Sequence, residues 1–125
     1  MKAKEIMNEL VITIDAETNT VNAIKTMRVH KIGGMPVVDE DNRILGMISE
    51  SDLMGVSKEV LVKEIMSSPA ITVEEETSIE EIAVILTSSK INRVPVEREG
   101  KLLGIISRAD VIAFLANIRA WKEGS

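Results

Sequence analysis

Ile79, Ile82, Ala83 and Leu86 stand at positions i, i+3, i+4 and i+7. That spacing predicts a helix with one apolar face. Ser78 precedes it and Glu81 follows three residues later, the signature of an N-cap with a capping box. The pattern fades near Ser88-Ser89-Lys90. On either side the apolar residues are strand formers instead. Ala70 to Val73 follows Pro69 and reads as a strand. Val94-Pro95-Val96 reads as a short strand, with Pro95 marking its start or edge. Glu99-Gly100 is a turn signal. Leu102 to Ser107 reads as a buried strand and Arg108 to about Arg119 as a helix. Val111, Ile112, Phe114, Leu115 and Ile118 cover more than a narrow stripe of that helix, which predicts packing against its own sheet and against a partner.

The first half of the chain repeats this order. Val11 to Ile14 reads as a strand, and Thr20 to His30 as a helix turning Val21, Ile24 and Met27 inward. Met35 to Val38 is a strand, Asp41-Asn42 a turn, and Ile44 to Ile48 a strand. Ser49 to Gly55 is a shorter helix with Gly55 as its C-terminal cap, and Val56 to Val62 link the halves. The repetition extends to identities. Lys4-Glu5-Ile6-Met7 recurs as Lys63-Glu64-Ile65-Met66, and in the same register Lys31-Ile32 recurs as Lys90-Ile91 and Pro36-Val37 as Pro95-Val96. The expected fold class is α+β with α/β-like character: two tandem β-α-β-β-α repeats, residues 1–59 and 60–125. A unit of about 60 residues is marginal alone, so the two are expected to pack on each other.

The most informative repeated stretch is Gly46-Met47-Ile48-Ser49-Glu50-Ser51-Asp52, which returns as Gly104-Ile105-Ile106-Ser107-Arg108-Ala109-Asp110. Each runs a strand into a helix N-terminus, where free N–H groups and the helix dipole favour an anion. Ser-x-x-Asp is equally a capping box, with Asp reaching back to the Ser backbone.

Composition narrows the chemistry. The 125 residues carry a net charge of −5, one Phe, one Trp and no Tyr. That argues against a broad phosphate-binding face and against base stacking on aromatics. Without cysteine there is no disulfide, thiolate metal site or cysteine nucleophile. His30 is the lone histidine, expected to complement a helix C-terminus, so no metal site and no Ser-His-Asp arrangement can be assembled. Glu74-Glu75-Glu76 reads as a solvated face before a helix start. Lys31 and Lys90 read as helix-end charges, and the seven Met residues mostly as core filler. No apolar run approaches the ~18 residues of a membrane span, and no signal-peptide core follows Met1. A soluble cytoplasmic protein is expected.

The Lys-Glu-Ile-Met, Ile-x-x-(Met/Val)-Pro-Val and Gly-x-x-Ser-x-x-Asp stretches, in order and in duplicate, resemble a tandem pair of CBS (cystathionine beta-synthase) domains over essentially the whole chain. The resemblance implies a pseudo-two-fold pair with two related clefts, in which many members bind AMP, ADP, ATP or S-adenosylmethionine. It assigns Ser107 and Asp110 in copy two, and Ser49 and Asp52 in copy one, to phosphate or ribose. It gives Arg108, Asn92 and Arg93 to phosphate in copy two. The purine slot would be lined by Ile71, Thr72 and Val94 in copy two, and by Ile12, Thr13 and Met35 in copy one. Copy one departs from the pattern: Glu50 replaces Arg108, and Gly33-Gly34 replaces Asn92-Arg93.

The expected function is therefore a regulatory or sensor module for an adenosine-containing ligand, with no cofactor required and no catalysis. It would be a homodimer acting on an unidentified effector protein, without nucleic acid or membrane. Trp121 is expected to cover a dimer contact. The alternative is a structural oligomerisation module with vestigial clefts.

Overall fold

The computed structural model describes residues 1–124, and the side-chain surroundings of residues 1–117. The parts expected of Ile118 and Trp121 lie outside the described side chains. The elements follow in the order α1 (Ala3–Ile6), β1 (Ile14–Asp15), α2 (Thr20–His30), β2 (Gly34–Val38), β3 (Ile44–Ser49) and α3 (Glu50–Met54). Then come α4 (Val62–Ile65), β4 (Val73–Glu74), α5 (Ile79–Ser88), β5 (Arg93–Arg98), β6 (Lys101–Ser107) and α6 (Arg108–Gly124). They form two three-stranded sheets, β1-β2-β3 and β4-β5-β6. In the first sheet β1 runs parallel to β2, and β2 antiparallel to β3.

The chain divides into two compact units that cut across the sequence copies. One gathers Met1–Glu9, Thr72–Arg98 and residues 103–124; the other gathers Leu10–Ile71 and Glu99–Leu102. Each copy's opening segment thus packs with the core of the other copy. In the first unit Ala3 is buried with Val73, Ile79, Ile82, Val94 and Ile106, with Ile6 and Met7 against them. In the second, Val62 is buried with Ile14, Met27, Met35, Val37 and Ile48, with Ile65 and Met66 against them. Short helices α1 and α4 carry these side chains. Each is closed by an acid three residues ahead: the Lys2 N–H donates to Glu5 Oε1 at 2.9 Å and the Leu61 N–H to Glu64 Oε2 at 2.7 Å.

Helix α5 fits its apolar period and its N-cap. Ser78 Oγ accepts from the Glu81 N–H at 3.2 Å, and Ile79, Ile82 and Leu86 are buried. Helix α2 has the expected limits, with Asn19 as N-cap accepting from the Asn22 N–H at 2.9 Å. Its buried face differs from the expected one. Thr20, Ala23 and Met27 point in, while Val21 and Ile24 are each 42% exposed. The small Ala23 lets the helix approach its sheet closely and rotates the two branched residues outward. In α6 Val111 is buried and Phe114 and Leu115 pack on the core, but Ile112 is exposed. Gly55 does cap α3, although with φ −82 in the right-handed region. Lys31 and Lys90 adopt left-handed φ of 55 and 54 beyond α2 and α5.

Two expected strands are shorter and later than the propensities of Val11–Ile14 and Ala70–Val73 indicate: β1 and β4 have two residues each. The reason lies in Pro36 and Pro95, which stand inside the central strands, buried, rather than at a start or edge. Met47, opposite Pro36, turns its N–H and C=O away to Ser67 (3.0 and 2.9 Å). Pro36 therefore directs its own nitrogen toward β1, where a proline has no hydrogen to donate. Pairing with β1 accordingly begins at Val37. The segment 56–62 is more than a link: the Thr20 N–H donates to Val60 O at 2.9 Å and the Val62 N–H to Thr18 O at 2.7 Å.

Candidate functional site

The strand-to-helix junctions bring together most of the residues the motif named. In copy two the Ser107 N–H and Oγ both reach Asp110 Oδ2, at 2.8 and 2.9 Å, and the Asp110 N–H donates to Ser107 Oγ at 3.2 Å. The capping box is formed. Both bonds that the carboxylate accepts fall on one of its oxygens. Oδ1 of Asp110 has no partner among the described residues. It is not buried, because no buried side-chain oxygen or nitrogen among the described residues lacks a partner. Capping and ligand contact are therefore compatible in one residue. Copy one repeats the arrangement: the Ser49 N–H and Oγ reach Asp52 Oδ2 at 2.8 and 3.0 Å, with Ser51 Oγ 3.0 Å from Ser49 Oγ.

Backbone bonds fix what stands beside each junction. The Arg108 N–H donates to Asn92 O at 2.8 Å, which brings Asn92 and Arg93, at the head of β5, to the start of α6. In copy one the Glu50 N–H donates to Gly33 O at 3.0 Å, and Gly34 pairs with Ser49, Met35 with Ile48. The residues expected to line a purine slot are more dispersed. Val94 and Met35 are fully buried in their cores. Thr72 is half-buried and its Oγ1 donates to Glu97 Oε2 at 3.2 Å. Ile12 and Thr13 are half-buried, and Ile71 is 45% exposed at the end of the chain stretch belonging to the second unit.

Sequence reasoning missed the surroundings of the Arg108 side chain. Its Nε donates to Ile91 O and its Nη2 to Leu86 O, both at 2.8 Å. Nothing in the pattern names a backbone carbonyl as a partner. The corresponding place in copy one, between α2 and α3, is a groove of about 590 Å³ bordered by Met27, Arg28, Lys31, Ile32, Glu50 and Leu53. Among the described residues no group of three His, Cys, Asp or Glu side chains is placed to hold a metal.

Two charged residues before α5, the half-buried Glu75 and the exposed Glu76, are paired. Glu75 takes a two-point contact from Arg98 at 2.7 and 2.9 Å, which lowers its pKa. Glu76 accepts from Lys2 and Lys4 at 2.6 Å each, and these two bonds lower its pKa to about 2. Both pairs join segments distant in sequence within the first unit.

Comparison with known proteins agrees with the duplicated architecture. The CBS domain profile matches twice, over residues 3–59 and 62–117. An inosine-5'-monophosphate dehydrogenase of Methanocaldococcus jannaschii is 30% identical over 113 residues, covering 89% of this chain and 23% of that enzyme. The first curated relatives are longer, and the chain spans between 23% and 59% of their length. Among solved structures, the CBS domain pair of protein MJ0100 in complex with 5'-methylthioadenosine and S-adenosylmethionine is 25% identical, with a TM-score of 0.87 over 94% of this chain and 97% of that one. The protein CBSX2 in complex with AMP has the same fold, with a TM-score of 0.88 at 23% identity over 94% and 98% of the two chains. Two copies of the profile and the matching pair of three-stranded sheets lead to one conclusion: the chain belongs to the CBS domain family, as a tandem pair of CBS domains.

Proposed function

We propose that this CBS pair is a regulatory module that binds an adenosine-containing ligand at the copy-two junction. The observation that carries the proposal is the divided use of Asp110. Oδ2 holds the N-terminus of α6, while Oδ1 stays open beside the Ser107 hydroxyl. A free carboxylate oxygen is a good acceptor for ribose hydroxyls. Arg93, half-buried at the head of β5 next to the Asn92 that accepts from the Arg108 N–H, is proposed to supply positive charge there. The methylthioadenosine and S-adenosylmethionine bound by the MJ0100 pair share the adenosine portion this site would take.

Regulation would act through differential affinity: the ligand favours the arrangement it binds best, and a partner protein reads the shift. The module is proposed to work as a homodimer in the cytoplasm and to carry out no chemistry of its own. Titration calorimetry with AMP, ADP, ATP, S-adenosylmethionine and 5'-methylthioadenosine is the direct test. No heat and no thermal stabilisation with any of them at millimolar concentration would refute the proposal.

A second reading rests on Glu50. An anion stands where copy two has Arg108, and Gly33 leads into the neighbouring strand, which begins at Gly34. If neither junction holds a ligand, the pair is a structural oligomerisation module. That reading predicts a dimer in sedimentation whose stability is indifferent to nucleotides.

A further inference from the structure

We infer that Arg108 is a positioning residue for the copy-two site, acting on the ligand through the backbone that it braces rather than by touching a phosphate. The inference rests on the adenosine reading above and assigns the side chain a different role within it. Two of the five N–H groups of the Arg108 guanidinium are already committed to backbone carbonyls. Nε donates to Ile91 O and Nη2 to Leu86 O, each at 2.8 Å, while its own N–H donates to Asn92 O at 2.8 Å. Leu86 O also accepts the Ile91 N–H at 3.1 Å, so both its lone pairs are used. One residue thus ties the end of α5, the approach to β5 and the start of α6 together, one position after Ser107 and two before Asp110. Bonds from a charged donor to helix-end carbonyls are stronger than neutral ones and complement the negative end of the dipole.

The other copy supplies an internal control. Its backbone bond is kept, from the Glu50 N–H to Gly33 O at 3.0 Å, but a carboxylate cannot donate to the matching carbonyls of Met27 and Ile32. There the space between helix end and junction stays open as the groove bordered by Met27, Ile32 and Glu50.

The test compares Arg108→Gln and Arg108→Lys with the unaltered chain, using AMP and 5'-methylthioadenosine as probes; the second has no phosphate. Arg108→Gln is expected to lower Tm by roughly 5–10 °C and to weaken both probes by the same factor, about five- to tenfold. Arg108→Lys, which keeps a donor, should recover part of both losses. In the absence of ligand, amide exchange at Ile91 should quicken in Arg108→Gln. A loss confined to AMP would make Arg108 a phosphate ligand and overturn the inference. A lower Tm with both affinities intact would reduce it to a stabilising role, and that too would overturn it. If the unaltered chain binds neither probe, the adenosine reading fails, while the brace itself is still decided by Tm and by exchange at Ile91.

Discussion

A β-carbon placed on Gly104 would stand 2.7 Å from Sδ of Met7. Two of the repeated motifs are thereby in contact: the Met of Lys-Glu-Ile-Met in one copy lies over the Gly of Gly-x-x-Ser-x-x-Asp in the other. The counterpart is equally close, since a β-carbon on Gly46 would meet Ser67 O at 2.6 Å and Met66 Sδ at 2.9 Å. The close approach comes with backbone pairing, Asn8 to Ile105 and Ser67 to Met47.

Both glycines should therefore resist substitution, and unequally. At Gly104 the nearest atoms belong to the flexible Met7 side chain, with Asn8 O at 3.0 Å; at Gly46 the nearest atom is a backbone oxygen. Overpacking of this kind costs about 1–3 kcal/mol. Gly46→Ala should fall near the upper end and Gly104→Ala nearer the lower. Urea denaturation of the two variants measures the order; equal losses would show that the Ser67 segment yields as readily as a methionine.

Asp110 and Asp52 make the same capping bonds, so alanine at either should cost stability alike, about 0.5–1 kcal/mol. Ligand binding should separate them. Asp110→Ala is expected to weaken the adenosine ligand more than Asp52→Ala does, because Arg93 accompanies the former and Gly33-Gly34 the latter. Equal weakening in calorimetry would remove the ranking of the two sites.

The Glu76 pairs bind the N-terminal residues to the loop before α5 and give a pH signature. Its pKa is lowered from 4.5 to about 2, chiefly by hydrogen bonds from Lys2 and Lys4. A lowered carboxylate pKa contributes stability that is complete above the unfolded value and is lost as pH falls through the folded one. The contribution should thus persist at neutral pH and disappear between about pH 4.5 and 2. Carboxyl carbon NMR of Glu76 should titrate near 2, moving toward 4.5 when Lys2 and Lys4 are both changed to Met. High salt should shift it the same way, since the pair is exposed.

Lys31 and Lys90 each hold a left-handed backbone where glycine is the usual residue. Lys31→Gly and Lys90→Gly relieve that conformation and should stabilise by about 0.5–1 kcal/mol. A lowered Tm would mean that their side chains contribute more than the strain costs.

What depends on near neighbours was legible in the order of residues. Periodicity placed α5 and α2, Ser78 marked a helix start, Glu99-Gly100 marked a turn, and the duplicated motifs gave the two β-α-β-β-α copies. Ser107 and Asp110 were legible as a pair because three residues bring them to one helix turn. Partners that lie far along the chain were settled by folding. It set Met7 over Gly104, the Lys2 and Lys4 bonds to Glu76, the rotation of α2 onto Ala23, and the two carbonyls that hold Arg108. The physical reason is common to these. Hydrophobic period and capping chemistry are written in adjacent side chains, whereas a backbone carbonyl or a missing β-carbon becomes a constraint only when distant chain is laid against it. For the same reason β1 and β4 shortened: their propensity was local, but the donor missing at Pro36 belonged to the strand beside β1.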